Sequence, residues 1–262
     1  MNNIVKKAIA ECFGTFVLVF IACGTAAYIN DAGATSIAFG LVIVAMAYSI
    51  GRISGCHINP AVSLGCLLAK RMTLKDFLVY VCAQIVGAFL GAVAVFGIFK
   101  LGNYDFALAA KLGETKAVIG DASNYAIGSG AGVEDYPEFA AIFASLLAEV
   151  ILTCIFVYVI LNVTAEKAKT GKIAGIIIGA TLALVHFVGC GITGTSVNPA
   201  RSIATAITSA IYGNGTNALA QVWIFIVGPL IGGALAALVY NVLHKEDKEA
   251  DPMANANSED AE

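Results

Sequence analysis

Long apolar stretches alternate with short polar ones along the chain as far as residue 243. Six of these stretches are long enough for a tilted helix to cross a bilayer, which takes roughly 20 residues. They cover residues 5–28, 35–51, 77–99, 138–162, 172–192 and 219–243. This pattern predicts an all-α membrane protein with six transmembrane helices.

Two further apolar runs, 59–69 and 198–212, are too short to cross a bilayer. Each begins with Asn-Pro-Ala, and Asn is a preferred N-cap while Pro suits the first helical position, so each motif predicts the start of a helix. Half-length helices beside full-length spans are typical of re-entrant segments that line a cavity. The alternative of eight ordinary spans is disfavoured by the length of these runs. The two motifs are Asn59-Pro60-Ala61 and Asn198-Pro199-Ala200.

The two halves of the chain repeat the same order of features. Glu11 precedes Asn59 by 48 residues, and Glu149 precedes Asn198 by 49. Because three spans per half is an odd number, the second half must be inverted in the membrane, and the two half-helices enter from opposite faces. The sequence thus predicts one channel-like domain over 1–243, made of two inverted three-helix repeats. The repeats cover about 5–99 and 138–243, with the loop 100–137 between them.

Composition supports a membrane protein and argues against other classes. Hydrophobic residues make up 59% of the 262 residues and charged residues 13%, whereas soluble domains are nearer half and a quarter. The net charge of −3 gives no reason to expect nucleic-acid binding. No Cys or Cys/His spacing suggests a metal, nothing calls for a cofactor, and no Ser/His/Asp set suggests an enzyme.

The distribution of Lys and Arg predicts the orientation. An even number of spans places both termini on one side, and most basic residues fall on that side, whereas acids outnumber lysines in the loop 100–137. The positive-inside rule therefore predicts cytoplasmic termini in the plasma membrane and an extracellular loop. The segment 244–262 is acidic and predicted to be a disordered cytoplasmic tail.

The paired Asn-Pro-Ala loops in an inverted repeat resemble the aquaporin (major intrinsic protein) family, in its water-channel type similar to bacterial members. The resemblance covers roughly residues 5–243. It implies a passive water channel that excludes protons and ions, assembled as a homotetramer with one pore per subunit. The stretches that carry it are Ala10-Glu11-Cys12-Phe13-Gly14-Thr15-Phe16, Ile53-Ser54-Gly55 and Ser196-Val197-Asn198-Pro199-Ala200-Arg201-Ser202.

The resemblance also implies a selectivity filter of four residues. By their offsets from the two motifs these positions fall on Phe39, His186, Thr195 and Arg201. Phe, His and Arg together resemble the narrow, water-selective version, since glycerol-type members usually carry a small residue in place of His. Arg201 is also a permanent charge in an apolar region, for which a functional role is the default.

The starts of the two predicted half-helices indicate how such a channel would exclude protons. Helix N-termini carry unpaired N–H groups and partial positive charge, so two of them aimed at one point repel cations. The side-chain amides of Asn59 and Asn198 can each donate to one water oxygen, which interrupts a proton wire. The remaining predicted pore-lining residues are Gly55, Cys56, His57 and Gly194.

Glu11 and Glu149 are carboxylates inside predicted spans, and three interpretations compete. They are proton relays of a coupled transporter, residues near an interface, or supports that accept backbone N–H groups of the re-entrant loops. Their matching places in both halves favour loop support. For the whole chain the alternatives to a water channel are a facilitator for glycerol or another small neutral solute and, less favoured, a coupled secondary transporter.

Overall fold

Helices account for nearly all of the chain that the computed structural model describes, which is residues 3–29, 31–102, 115, 138–211 and 217–245. The predicted loop 100–137 and tail 244–262 lie outside these residues, apart from 100–102, 115, 244 and 245. The helices, in chain order, are α1 (Asn3–Leu18), a π-helix (Val19–Cys23), α2 (Gly24–Ile29), α3 (Ala32–Ser54), α4 (Pro60–Leu68), α5 (Leu74–Leu101), α6 (Glu138–Val163), a 3-10 helix (Gly171–Ile173), α7 (Ala174–Thr193), α8 (Pro199–Ile211), α9 (Asn217–Gln221) and α10 (Ile224–Leu243).

Six spans are long and apolar enough to cross a membrane, as the sequence predicts. They are Asn3–Ile29, Ala32–Ser54, Leu74–Leu101, Phe139–Val163, Gly171–Thr193 and Ala218–Leu243, called spans 1 to 6 below. Their outward faces expose large apolar side chains such as Leu41, Phe143 and Leu184, which suits contact with lipid. The predicted six-span, all-helical fold is confirmed.

The two predicted half-helices are α4 and α8. They contain 9 and 13 residues, which at 1.5 Å per residue gives lengths of about 14 and about 20 Å. Both are shorter than the hydrocarbon core of a bilayer, which is about 30 Å thick. Neither can cross the membrane, and the alternative of eight spans is wrong.

Helix packing follows the same plan in both halves. Span 1 packs on spans 2 and 3, just as span 4 packs on spans 5 and 6. The halves join through spans 2 and 5, and each half-helix packs against the third span of the opposite half, α4 on α10 and α8 on α5. This reciprocal packing is the arrangement expected of two structurally equivalent halves.

Two glycines identify corresponding positions in the third span of each half. A Cβ atom on Gly87 would collide with the carbonyl of Cys12, and one on Gly232 with the carbonyl of Val150. Cys12 and Val150 directly follow Glu11 and Glu149, so Gly87 and Gly232 hold equivalent places where helices approach closely. Three residues earlier, Gln84 in the first half therefore corresponds to Pro229 in the second.

The π-helix Val19–Cys23 interrupts span 1, while span 4 is α-helical from Glu138 to Val163. The apolar pattern did not predict this turn, because a single wide turn leaves hydrophobicity unchanged. Such π-turns occur mostly as single insertions in α-helices and often near functional sites. The π-turn packs against α3 and α5, so the backbone of span 1 differs there from that of span 4, its counterpart in the second half.

Candidate functional site

The N-termini of the two half-helices meet inside the protein. The side-chain nitrogen of Asn59 donates to the carbonyl of Val197 at 2.6 Å, and that of Asn198 donates to the carbonyl of Ile58 at 2.9 Å. Each asparagine therefore bonds to the loop of the opposite half. Since helix N-termini carry partial positive charge, this junction concentrates two positive ends at one place.

The same asparagines cap their own helices. Asn59 Oδ1 accepts from the amide of Ala61 at 2.8 Å, and Asn198 Oδ1 accepts from that of Arg201 at 3.3 Å. Pro60 and Pro199 occupy the first helical positions, where a missing N–H costs nothing. A side-chain amide carries two N–H donors, so the bond across the junction leaves each asparagine with one more N–H to donate.

The loops before these helices have an unusual backbone that repeats between the halves. Three residues of each loop have positive φ, and the values match in pairs. They are Gly55 and Gly194 (88° and 75°), Cys56 and Thr195 (54° and 50°), and Ile58 and Val197 (41° and 43°). Non-glycine residues in this region cost about 1–3 kcal/mol each, so the surrounding structure must hold both loops in place.

Glu11 binds the first loop. Its carboxylate is fully buried and accepts from the amides of His57 at 3.0 Å and Ile58 at 2.6 Å. The hydroxyl of Ser54 and the side-chain nitrogen of Gln84 donate to the same carboxylate at 2.6 and 2.8 Å. Both carboxylate oxygens thus have two donors each.

Glu149 binds the second loop in the same way. It is also fully buried and accepts from the amides of Ser196 and Val197, both at 2.8 Å. The hydroxyl of Thr193 donates to it at 2.8 Å. Both glutamates make contacts of the kind that loop support requires, which favours that interpretation.

The four residues predicted for the filter are all buried, and the structure brings them together. The rings of Phe39 and His186 stack with centroids 4.1 Å apart, and the guanidinium carbon of Arg201 lies 5.4 Å from the centroid of Phe39. Arg201 Nη2 donates to the carbonyl of Gly194 at 3.3 Å, which places the guanidinium beside the residue that precedes Thr195.

Several polar atoms of this cluster have no hydrogen-bond partner in the described part of the chain. Among the described residues six buried side-chain nitrogen or oxygen atoms accept or donate no hydrogen bond, and four of them belong to three of the residues predicted for the filter. These four are Nε2 of His186, Oγ1 of Thr195, and Nε and Nη1 of Arg201. A buried polar group without a partner costs about 1–3 kcal/mol, so native proteins keep such groups where they bind something.

A narrow cavity lies between the Phe39–His186 pair and the asparagine junction. Of the predicted site residues, Phe39, His186, His57, Asn59 and Asn198 contribute to its wall. Arg201 lies beside Phe39 but does not line this cavity, and neither do Thr195, Gly55, Cys56 and Gly194. Most of the wall is apolar, and its apolar residues other than Phe39 were missed because in sequence they are indistinguishable from core residues. The wall consists of Leu18, Phe39, Ile43, His57, Ile58, Asn59, Phe156, Leu182, His186, Ser196, Val197 and Asn198.

Six spans, two opposed half-helices and a narrow internal cavity define a helical membrane channel built as an inverted repeat. The model of the family "Major intrinsic protein" matches residues 1–240, so the chain belongs to the major intrinsic protein family. The resemblance seen in the sequence is thereby confirmed.

Several relatives match nearly the whole chain. Proteins named Aquaporin Z from Rhodopseudomonas palustris and Bradyrhizobium diazoefficiens are 40% and 39% identical to it, each over 92% of this chain and 94% of the relative. Aquaporin Z from Brucella melitensis biotype 1 is 39% identical over 92% of this chain and 99% of its own length.

A solved structure shares the fold. The X-ray structure of the aquaglyceroporin from Plasmodium falciparum superposes with a TM-score of 0.75 and 25% sequence identity, covering 97% of this chain and 99% of that one. The same arrangement of helices therefore also occurs in an aquaglyceroporin.

Proposed function

We propose that the chain is a passive water channel that excludes protons and other ions, and that the cavity between the filter and the asparagine junction is its water path. Family membership and relatives named Aquaporin Z support this function. The observation that carries the proposed path is the cluster of four buried polar atoms without protein partners at the filter. These atoms suit water, which both donates and accepts.

The filter is proposed to select by size and by charge. Phe39 and His186 stack as two bulky rings and limit the width available to a solute. Nε and Nη1 of Arg201 are donors that can replace the hydrogen bonds a water molecule loses on entering. The permanent charge of Arg201 repels cations, including hydronium, from the same place.

The junction of Asn59 and Asn198 is proposed to block proton transfer. Each side chain uses one N–H across the junction and can offer the other to a passing water. A water oxygen that accepts both bonds cannot also accept a proton-relay bond from its neighbour. The two helix N-termini add an electrostatic barrier to cations at that point.

Glu11 and Glu149 are proposed to support the loops rather than relay protons. Their oxygens are engaged by backbone amides and hydroxyls of the strained loops, and neither contributes to the wall of the cavity. A relay group must face a proton path, so these contacts favour a passive channel over a coupled transporter.

The assembly and orientation are part of the proposal. The family resemblance supports a homotetramer with one pore per subunit in the plasma membrane. The distribution of Lys and Arg along the chain supports cytoplasmic termini. A cysteine-free variant carrying one new cysteine near residue 245, labelled from one side of intact cells, would show the side on which the C-terminal end lies.

Swelling of liposomes tests the proposed filter and the glycerol alternative together. We expect the wild-type channel to speed water flow well above empty liposomes while passing little glycerol. His186→Gly removes one of the two stacked rings, so glycerol flow should rise several-fold while water flow continues. Phe187→Ala is the matched control, because Phe187 is the next residue and points outward with 54% of its surface exposed. Rapid glycerol flow through the wild type, or no change in His186→Gly, would contradict the water-selective filter.

A further inference from the structure

One side chain from the segment between the two halves reaches the second half-helix. Thr115 is 2% exposed, and its hydroxyl oxygen lies 2.7 Å from that of Ser202. Ser202 directly follows Arg201 in the first turn of α8. A contact at this place can therefore affect both the filter and the start of the half-helix.

The hydrogen bonds around Ser202 have a defined direction. Ser202 donates to the hydroxyl oxygen of Ser196 at 2.6 Å, and Ser196 donates to the carbonyl of Asn198 at 3.1 Å. A hydroxyl has a single proton, so Ser202 must accept from Thr115. Three hydroxyls in series thus connect Thr115 to Asn198, whose amide donates back to Ser196 at 3.2 Å.

The first half supports the equivalent serine differently. Ser63 follows Asn59 by four residues, as Ser202 follows Asn198. The side-chain nitrogen of Gln84 donates to Ser63 at 3.1 Å from span 3. The corresponding position in span 6 is Pro229, whose side chain has no donor. The second half therefore needs a donor from elsewhere.

We propose that Thr115 is that donor and acts as a positioning residue for the second re-entrant loop. Its hydroxyl fixes Ser202 and, through it, the backbone that carries Arg201. Within the part of the chain that the structure describes, the guanidinium has a single hydrogen bond, at 3.3 Å to Gly194, so its place in the filter depends strongly on that backbone. The consequence for selectivity rests on the proposed filter, whereas the hydrogen-bond coupling does not.

The test compares Thr115→Val, which keeps the shape and removes the hydroxyl, with Thr115→Ser, which keeps the hydroxyl. In liposomes we expect Thr115→Val to raise the ratio of glycerol to water permeability several-fold, and Thr115→Ser to keep the wild-type ratio. Thr208→Val is the matched control, because Thr208 is buried in the same half-helix and its hydroxyl donates within that helix, to the carbonyl of Ala204 at 2.8 Å. A wild-type ratio in Thr115→Val, or an equal change in Thr115→Ser, would overturn the proposal.

A second measurement does not depend on transport. If Thr115 acts through Ser202, adding Thr115→Val to Ser202→Ala should not lower the temperature of thermal unfolding further, whereas a fully additive loss would overturn the coupling.

Should Thr115→Val fail to fold, Thr115→Cys, whose thiol is a weaker donor, must change the permeability ratio in the same direction, and an unchanged ratio would overturn the proposal. A wild-type channel that passes no water would contradict the proposed function, while the unfolding measurement would still decide the role of Thr115.

Discussion

Arg201 shows how much the site depends on single side chains. It is a permanent charge with 1% of its surface exposed, and two of its nitrogens have no partner among the residues that the structure describes. Burying such a charge is costly unless it meets water or polar groups. The sequence alone identified this residue, because an arginine beside a re-entrant motif in an apolar chain has few structural uses.

At the same scale, Cys56 offers a test of whether the proposed path continues beyond the cavity, past the asparagine junction and along the first loop. It is half-buried, and its backbone matches that of Thr195, which belongs to the proposed filter. We expect a mercurial to slow water flow through the wild type and to lose most of its effect on Cys56→Ser. Cys82→Ser is the control, since Cys82 is exposed on span 3 and should leave the sensitivity unchanged. Full sensitivity in Cys56→Ser would remove Cys56 from the path.

At the scale of helices and loops, the order of features predicted most of the architecture. The six spans follow from the length of the apolar runs, and the two half-helices follow from an N-cap and a proline before runs that are too short. The π-turn at Val19–Cys23 and the contact of Thr115 with Ser202 were not predictable. Neither alters the apolar pattern, and the second joins residues 87 positions apart in the chain.

Close helix packing can be tested with two glycines of the same span. Gly87→Ala would place a methyl group against the backbone of span 1, so we expect a loss of about 1–3 kcal/mol of stability. Gly97→Ala is the matched control, because nothing lies within 4 Å of a Cβ atom there, and alanine favours the helix. Thermal unfolding in detergent measures both, and equal unfolding temperatures would show that spans 1 and 3 do not pack this closely.

At the scale of the whole molecule, the family and fold were predictable because two motifs occur at matching places in an inverted repeat. The predicted filter residues do cluster, but most of the apolar wall of the cavity was not foreseen. An apolar residue in a membrane span looks the same in sequence whether it faces lipid, a neighbouring helix or a narrow path. Polar residues stand out against that background, and so the polar part of the site was easier to predict.

A passive channel and a coupled transporter differ in their response to a proton gradient. Because both buried glutamates are bound to the loops, we expect an imposed pH difference across liposomes to leave the rate of osmotic water flow unchanged and to drive no net uptake of solute. A pH-sensitive dye inside the liposomes should also report no proton leak above that of empty liposomes. Gradient-driven uptake of a neutral solute would favour the transporter instead.

The hydrogen bonds that Asn59 and Asn198 make between the two halves bear on how the repeat arose and on how it can be engineered. In each repeat the asparagine amide donates a hydrogen bond to a loop carbonyl of the other repeat. The short helix of each repeat also packs against the last span of the other. One repeat expressed by itself would therefore lack its complement. Two copies of a single repeat, inserted into the membrane in opposite orientations, would make the same reciprocal contacts. An antiparallel homodimer of one repeat is therefore a natural precursor of this chain, in which two repeats are joined.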